Sequence, residues 1–199
     1  MVMALWLVQA AASLKESKMR YYIDEYWKMM NSDSPEIREE GEAKWTENAK
    51  KYGPYFETIR EKLPKRFINE FDKNCWFHDF AIDNINISSA GDKTTIAELN
   101  ISHGERAYKI TFTGVKGLML NIPNTRNLMH GKLTWGYSEF EFIDEATWIL
   151  RILCDLCCEL EIMFKRISIG NNNYPAEILE KNYWNSHSKL LTRNMHNGS

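Results

Sequence analysis

The residues best suited to chemistry in this chain are an adjacent histidine and aspartate, His78 and Asp79. A carboxylate beside an imidazole can orient a general base or hold a metal ion. The pair precedes a predicted β-strand, where successive side chains point to opposite faces of a sheet. We therefore expect Asp79 to cap backbone amides or to fix a turn. The alternative is a small-ligand or hydrolase cleft that carries both residues at its rim.

Four cysteines are the other candidate reactive groups: Cys75, Cys154, Cys157 and Cys158. Structural zinc usually needs two separated ligand pairs, and the chain has neither a second cysteine pair nor closely spaced histidines. The C-x-x-C-C cluster follows the mostly apolar residues 148–153, which favours buried thiols over a redox or disulfide role. We predict no metal, no cofactor and a reducing, cytoplasmic location.

Catalytic motifs are missing from the rest of the sequence. The chain contains no G-x-S-x-G, Walker loop, G-x-G-x-x-G or H-E-x-x-H. His103 and Glu105 flank Gly104 in a predicted turn, which is a poor place to hold a general base. We predict no catalytic residue, and the sequence favours a protein that is not an enzyme.

A row of aromatic and acidic side chains gives the leading functional hypothesis. Alternation along the strand predicted at 135–143 puts four of them on one face, opposite Phe140, and a later strand adds two more acids. We call these six residues the acidic–aromatic face: Trp135, Tyr137, Glu139, Glu141, Glu159 and Glu161. Such a composition is typical of protein-binding hot spots, and its carboxylates would attract a basic protein partner. The alternative is that the helical part of the chain covers the aromatic residues and the acids are merely solvated.

Composition sets the broad class. The chain has 199 residues, of which 44% are hydrophobic and 26% charged, with a formal net charge of −2. These values favour a folded protein over a disordered one and argue against nucleic acid, whose partners are typically basic. No apolar run approaches the ~18–20 residues that span a membrane, so we predict no membrane association.

Residues 1–18 differ in composition from the rest of the chain. The apolar run at 2–12 contains Ala10 and Ala12, which could form the cleavage site of a signal peptide. No Lys or Arg precedes the run, although a signal peptide normally begins with positive charge. We therefore predict an N-terminal extension, and a cleaved signal peptide is the less favoured alternative.

Residues 19–74 have apolar residues at the three- and four-residue spacing of helices. Ser34 and Pro35 mark a helix start, while Gly41 weakens that helix and Gly53-Pro54 are predicted to end it. From residue 75 the spacing changes to the alternation of strands, and the polar tail at 171–199 follows. We predict an α+β fold: an N-terminal helical lobe (19–74) packed on a roughly six-stranded antiparallel sheet or half-barrel (75–170), with 19–170 as one folded unit.

Three stretches carry a resemblance to other proteins: an aromatic opening at 19–27, the Phe77-His78-Asp79-Phe80 run, and residues 135–141 followed by 160–165. Together they resemble a bacterial family classed as a domain of unknown function, over about residues 19–170. The resemblance implies that members begin near Met19. A weaker, class-level similarity to immunity proteins of bacterial toxin systems makes an immunity-type inhibitor the most specific form of the protein-binding hypothesis.

Overall fold

The computed structural model describes residues 19–91, 94–122, 133–155 and 158–172. The predictions for residues 1–18, for Cys157 and for the tail beyond residue 172 lie outside these ranges. Within these ranges, three helices come first: α1 (Asp24–Met30), α2 (Pro35–Arg60) and α3 (Lys65–Lys73). A short 3-10 turn, Cys75–Phe77, then leads into the sheet.

In the part of the chain that the structure describes, eight strands form one antiparallel sheet in the order β4-β7-β6-β5-β1-β2-β3-β8. The α+β prediction is confirmed, with the N-terminal helices packed on the sheet. The strands are β1 (Phe80–Ser89), β2 (Thr95–His103), β3 (Arg106–Thr113), β4 (Gly117–Asn121), β5 (Leu133–Asp144), β6 (Thr147–Cys154), β7 (Cys158–Phe164) and β8 (Arg166–Asn171).

The sheet has eight strands rather than about six because two long strands bend sharply. β3 continues into β4 past Gly114, which has a φ of +68°, and β7 continues into β8 past Lys165. The hydrogen-bond ladder runs through both bends, since Lys116 N donates to Met163 O (2.8 Å) and Lys165 N donates to Thr113 O (3.1 Å). The bends divide the sheet into two halves, β1-β2-β3-β8 and β5-β6-β7-β4.

Helix α2 begins as predicted but does not end as predicted. Ser34 is its N-cap, with the hydroxyl accepting from Ile37 N at 3.4 Å, and Pro35 is the first helical residue. The predicted break at Gly53-Pro54 is wrong, because the helix runs on to Arg60. Pro54 is exposed, so the backbone carbonyl that loses its hydrogen bond there can be solvated.

Two tyrosines of α2 cover an open edge of β5. β5 pairs with β1 only over Leu133–Trp135 and then diverges from it. Farther along β5, the backbone N–H groups of Phe140 and Phe142 donate to the hydroxyl oxygens of Tyr52 (2.7 Å) and Tyr55 (3.3 Å). These hydroxyls replace the carbonyls of a neighbouring strand, so α2 blocks a site of edge-to-edge association.

Aromatic rings join the helices to the sheet. Phe140 of β5 lies 5.6–6.0 Å from the rings of Phe56, Phe67 and Phe71, measured between ring centroids. All four side chains are almost completely buried, and aromatic pairs at this separation add to the hydrophobic stabilisation. In the ranges that the structure describes, we find no helix with the length and apolar character needed to cross a membrane.

Candidate functional site

The acidic–aromatic face is not flat, because Trp135 lies on the other side of β5 from Tyr137. The register between β5 and β6 shifts between Trp135 and Tyr137, which reverses the alternation. Trp135 is fully buried, with its ring 5.5 Å from that of Phe77. The prediction that Trp135 shares a face with the glutamates is therefore wrong. Gly136 permits the irregularity, since a Cβ there would lie 2.7 Å from the carbonyl oxygen of Leu153.

Glu139 is buried beneath the N-terminal segment of the chain. Its carboxylate accepts hydrogen bonds from the backbone N–H groups of Arg20 (2.9 Å), Tyr21 (2.6 Å) and Tyr22 (2.7 Å). Three successive N–H groups that converge in this way form a binding site for an anion. Burial raises the pKa of Glu139, and the three hydrogen bonds and Arg151 oppose that rise.

Arg151 of β6 lies between acids of the two neighbouring strands. Its Nη1 is 2.7 Å from Glu141 Oε2, and its Nε is 2.9 Å from Glu161 Oε2. Glu141 also pairs with Arg20, at 2.7 Å. The fourth acid, Glu159, is buried as well. The carboxylates of this face are thus bound or buried within the chain.

The remaining member, Tyr137, is covered by aromatic rings. Tyr22 stacks on it at 5.1 Å, and Trp45 meets it edge-on at 4.6 Å. The structure therefore does not bring the six predicted residues together on an exposed face. The alternative interpretation agrees with the packing of Tyr137 in that the helical lobe covers aromatic residues here, but it is wrong that the acids are solvated, since Glu139, Glu141 and Glu159 are buried.

The other predicted site, at His78 and Asp79, follows an unusual backbone. Cys75, Trp76 and Phe77 have φ values of +50°, +61° and +60°, and Asp79 has a φ of +69°. None of the four is glycine, so each occupies the left-handed region at a steric cost. Backbone strain of this kind clusters at functional sites.

This backbone brings His78 and Asp79 together. Asp79 Oδ1 lies 3.0 Å from His78 Nδ1, and the His78 ring meets the Tyr137 ring edge-on at 5.0 Å. The expectation that the two side chains point to opposite faces is wrong, since both residues precede β1 and Asp79 has a positive φ. The carboxylate of Asp79 contacts the imidazole, while its own backbone N–H donates to Trp135 O (2.9 Å).

A small cavity of about 90 Å³ opens at this pair. Aromatic rings of Trp27 and Tyr137 line it together with the carboxylates of Asp79 and Asp155, and no Lys or Arg is among the described residues of its wall. We call it the His78 cleft. Carboxylates next to aromatic faces form a site for an organic cation.

The ionisable groups of the cleft agree with a binding site better than with a nucleophile. Burial, followed by the negative charge of Asp79, raises the pKa of Tyr137. Burial also raises the pKa of Cys154 far above its usual range, so this thiol stays protonated and unreactive. Cys154 and Cys158 are buried, as predicted for these two, whereas Cys75 is exposed.

Comparisons with known proteins do not assign this chain to a family. Neither a scan of protein-family models nor a search of curated proteins finds a match to this chain. The resemblance drawn from the sequence therefore stays a prediction. Within the described ranges, no group of three or more His, Cys, Asp or Glu side chains could hold a metal ion.

Three residues of these sites were not predicted from the sequence. Arg151 could have been, because it is the one charged residue in the otherwise apolar run at 148–153. A charge in a buried strand must find partners. Trp27 and Asp155 had no comparable signal, since only the tertiary fold brings α1 and the β6–β7 turn beside His78.

Proposed function

We propose that the protein is a non-catalytic protein-binding module whose His78 cleft receives a lysine or arginine side chain from a basic partner. The observation that carries the proposal is the strained turn that holds His78 and Asp79 beside Tyr137 at an acidic, aromatic cavity. The partner keeps the basic character inferred from the sequence, but its contact moves from the acidic–aromatic face to this cleft.

The size and chemistry of the cleft suit one cationic head group. A cavity of about 90 Å³ has the volume of roughly three water molecules. Asp79 and Asp155 supply carboxylates for charge-assisted hydrogen bonds, and Trp27 and Tyr137 add aromatic side chains to the same wall. Most of the Asp79 side chain (70%) is exposed, so a partner reaches it without unfolding the chain.

An immunity-type inhibitor of a bacterial toxin is the most specific form of this proposal. Such a protein acts by covering a basic functional surface on its target, which needs affinity and no chemistry of its own. The class-level similarity noted in the sequence supports this form, and a cytoplasmic location belongs to it.

The proposal is tested with a guanidinium probe, arginine methyl ester, titrated into the protein and followed by NMR. We expect saturable shifts of the Trp27 indole and His78 imidazole signals, which Asp79→Asn combined with Asp155→Asn abolishes. Glu145→Gln, an exposed change at the opposite end of β5, is the matched control and leaves the shifts intact. Equal shifts in all variants, or no saturation, would contradict the proposal.

The alternative function is a hydrolase or small-ligand protein that uses the same cleft. The contact of 3.0 Å between Asp79 and His78 Nδ1 favours it, because a carboxylate at that nitrogen orients the imidazole as a general base. In that case Asp79→Asn removes turnover of simple phosphate or carboxylate esters. Absence of any esterase activity, together with arginine ester binding to the cleft, separates the two functions.

A further inference from the structure

A second and larger cavity lies at the other end of the sheet, where the two long strands bend. It has a volume of about 610 Å³. Its polar lining consists mainly of threonines and cations: Thr94, Thr95, Thr113, Lys116, Lys165 and Arg166. No carboxylate is among the described residues that line it. The charged side chains of this cavity are therefore all basic, whereas the carboxylates of the His78 cleft make that cleft acidic.

Gly114 and Lys165 pack closely at this bend. Gly114 has a φ of +68°, and a Cβ at this position would lie 2.9 Å from Cγ and Cδ of Lys165. The absence of a side chain at Gly114 therefore lets the aliphatic part of Lys165 rest against the backbone. A lysine held by its methylene groups loses less conformational freedom when its ammonium group binds an anion.

Lys116 is also held in place, by a neutral partner. Its Nζ lies 2.6 Å from Thr147 Oγ1, which uses one of the three ammonium hydrogens. The nearby Asp144 carboxylate accepts from the backbone N–H of Ala146 at 2.8 Å, and this bond and the Thr147 hydroxyl lower its pKa more than the charge of Lys116 does. Two donors of Lys116 thus remain for a ligand.

The third cation, Arg166, follows Lys165 directly and pairs in register with Thr113 across the β3–β8 ladder. No carboxylate of the described residues forms an ion pair with Lys165 or Arg166, and both side chains are exposed. Three like charges at one cavity repel one another, and an anion with more than one charge would relieve that repulsion.

We propose that this cavity binds a small molecule that carries at least two phosphate groups. Guanidinium and ammonium groups match phosphate oxygens with short, charge-assisted hydrogen bonds, and the threonine hydroxyls can donate further ones. The volume of about 610 Å³ accommodates an organic group attached to the phosphates. This site is separate from the His78 cleft and does not depend on the function proposed for that cleft.

The test is isothermal titration of the whole protein with inorganic pyrophosphate and, separately, with ATP. We expect both to bind at one site, and we expect Lys165→Gln combined with Arg166→Gln to weaken each at least roughly tenfold. Lys73→Gln combined with Lys109→Gln is the matched control, because it removes the same charge from exposed positions outside the cavity. That control leaves both affinities within about twofold.

Several outcomes would overturn the proposal. Pyrophosphate and ATP could both fail to bind at low ionic strength, or the control pair could weaken them as much as the cavity pair. Tighter binding of a single-stranded oligonucleotide than of pyrophosphate would also reject a small-molecule site. If the double variant does not fold, a Lys116→Met variant provides the test instead. It removes one cation from the cavity and leaves the packing of Lys165 against Gly114 in place.

Discussion

The backbone nitrogen of Tyr22 lies 2.7 Å from Oε1 of Glu139, a residue 117 positions later in the chain. Arg20 and Tyr21 donate to the same carboxylate, so one glutamate on β5 fixes the start of the described fold. A side chain predicted to meet a partner is thus used to hold the chain's own N-terminal segment. This explains why the predicted docking face is covered.

Removing the Glu139 carboxylate is expected to destabilise the protein strongly. Glu139→Ala leaves the backbone N–H groups of residues 20–22 without their acceptor, and Tyr22 is buried. We expect a loss of about 3 kcal/mol in the free energy of unfolding, measured with urea, and faster hydrogen exchange at Tyr22. Glu145→Ala, an exposed change, should stay within about 0.5 kcal/mol of the wild type. An equal effect of the two variants would contradict this role of Glu139.

Arg151 is expected to matter mainly because of the acids that it neutralises. Arg151→Met leaves Glu141 and Glu161 without their shared cation, and we expect a loss of about 3–5 kcal/mol in unfolding experiments. Adding Glu141→Gln and Glu161→Gln should restore most of that loss. Lys109→Met removes a cation from an exposed pair and should cost less than about 1 kcal/mol. If the triple variant is no more stable than Arg151→Met, charge is not the cause.

Two glycines of α2 are expected to respond in opposite directions to alanine. At Gly41 a Cβ would lie 2.7 Å from the Cβ of Met29 and 2.8 Å from Met30 N, so Gly41→Ala pushes α1 away and costs about 1–3 kcal/mol. At Gly53 an added Cβ would meet no atom of the described residues within 4 Å, apart from its chain neighbours and the helix's own backbone, so Gly53→Ala stabilises by about 0.5–1 kcal/mol through helix propensity. Thermal unfolding of both variants checks the pair, and a shift of the same sign in both would refute the packing explanation.

Stability is expected to fall at high pH through Tyr22. Burial, followed by the charge of Glu139, raises the pKa of Tyr22 from 10.0 to about 12. The folded state therefore keeps its proton when the unfolded state has lost it. The resulting contribution to stability is complete below pH 10 and disappears as the pH rises through about 12. Urea unfolding over that range checks the slope, and Tyr22→Phe should flatten it. An unchanged slope in the variant would contradict the assignment.

Local signals in the sequence were sufficient for much of the fold. Ser34 and Pro35 marked the start of α2, and the strand predicted at 135–143 lies within β5 (Leu133–Asp144). Pro54 was misleading because its effect depends on what surrounds the missing hydrogen bond. Gly136 was misleading as well, since an irregularity that reverses a strand's faces depends on contact with Leu153 in the neighbouring strand.

The site was less predictable than the fold. The left-handed turn at Cys75–Phe77 contains no glycine or asparagine, the residues that normally indicate such a backbone. Its conformation is imposed by packing, with Phe77 buried among other rings and Trp76 stacked on Phe71 at 5.7 Å. A sequence pattern could therefore point to His78 and Asp79 but could not show that their side chains meet.

The long-range pairing of strands in this bent sheet has a kinetic consequence. Tyr108 of β3 pairs with Asn171 of β8, and Phe80 of β1 pairs with Trp135 of β5, so the paired residues come from distant parts of the chain. Such contacts require large loops to close before any stabilisation is gained. We expect refolding on the order of milliseconds to seconds, slower than in helical proteins of similar size, with α2 helical before the halves of the sheet associate.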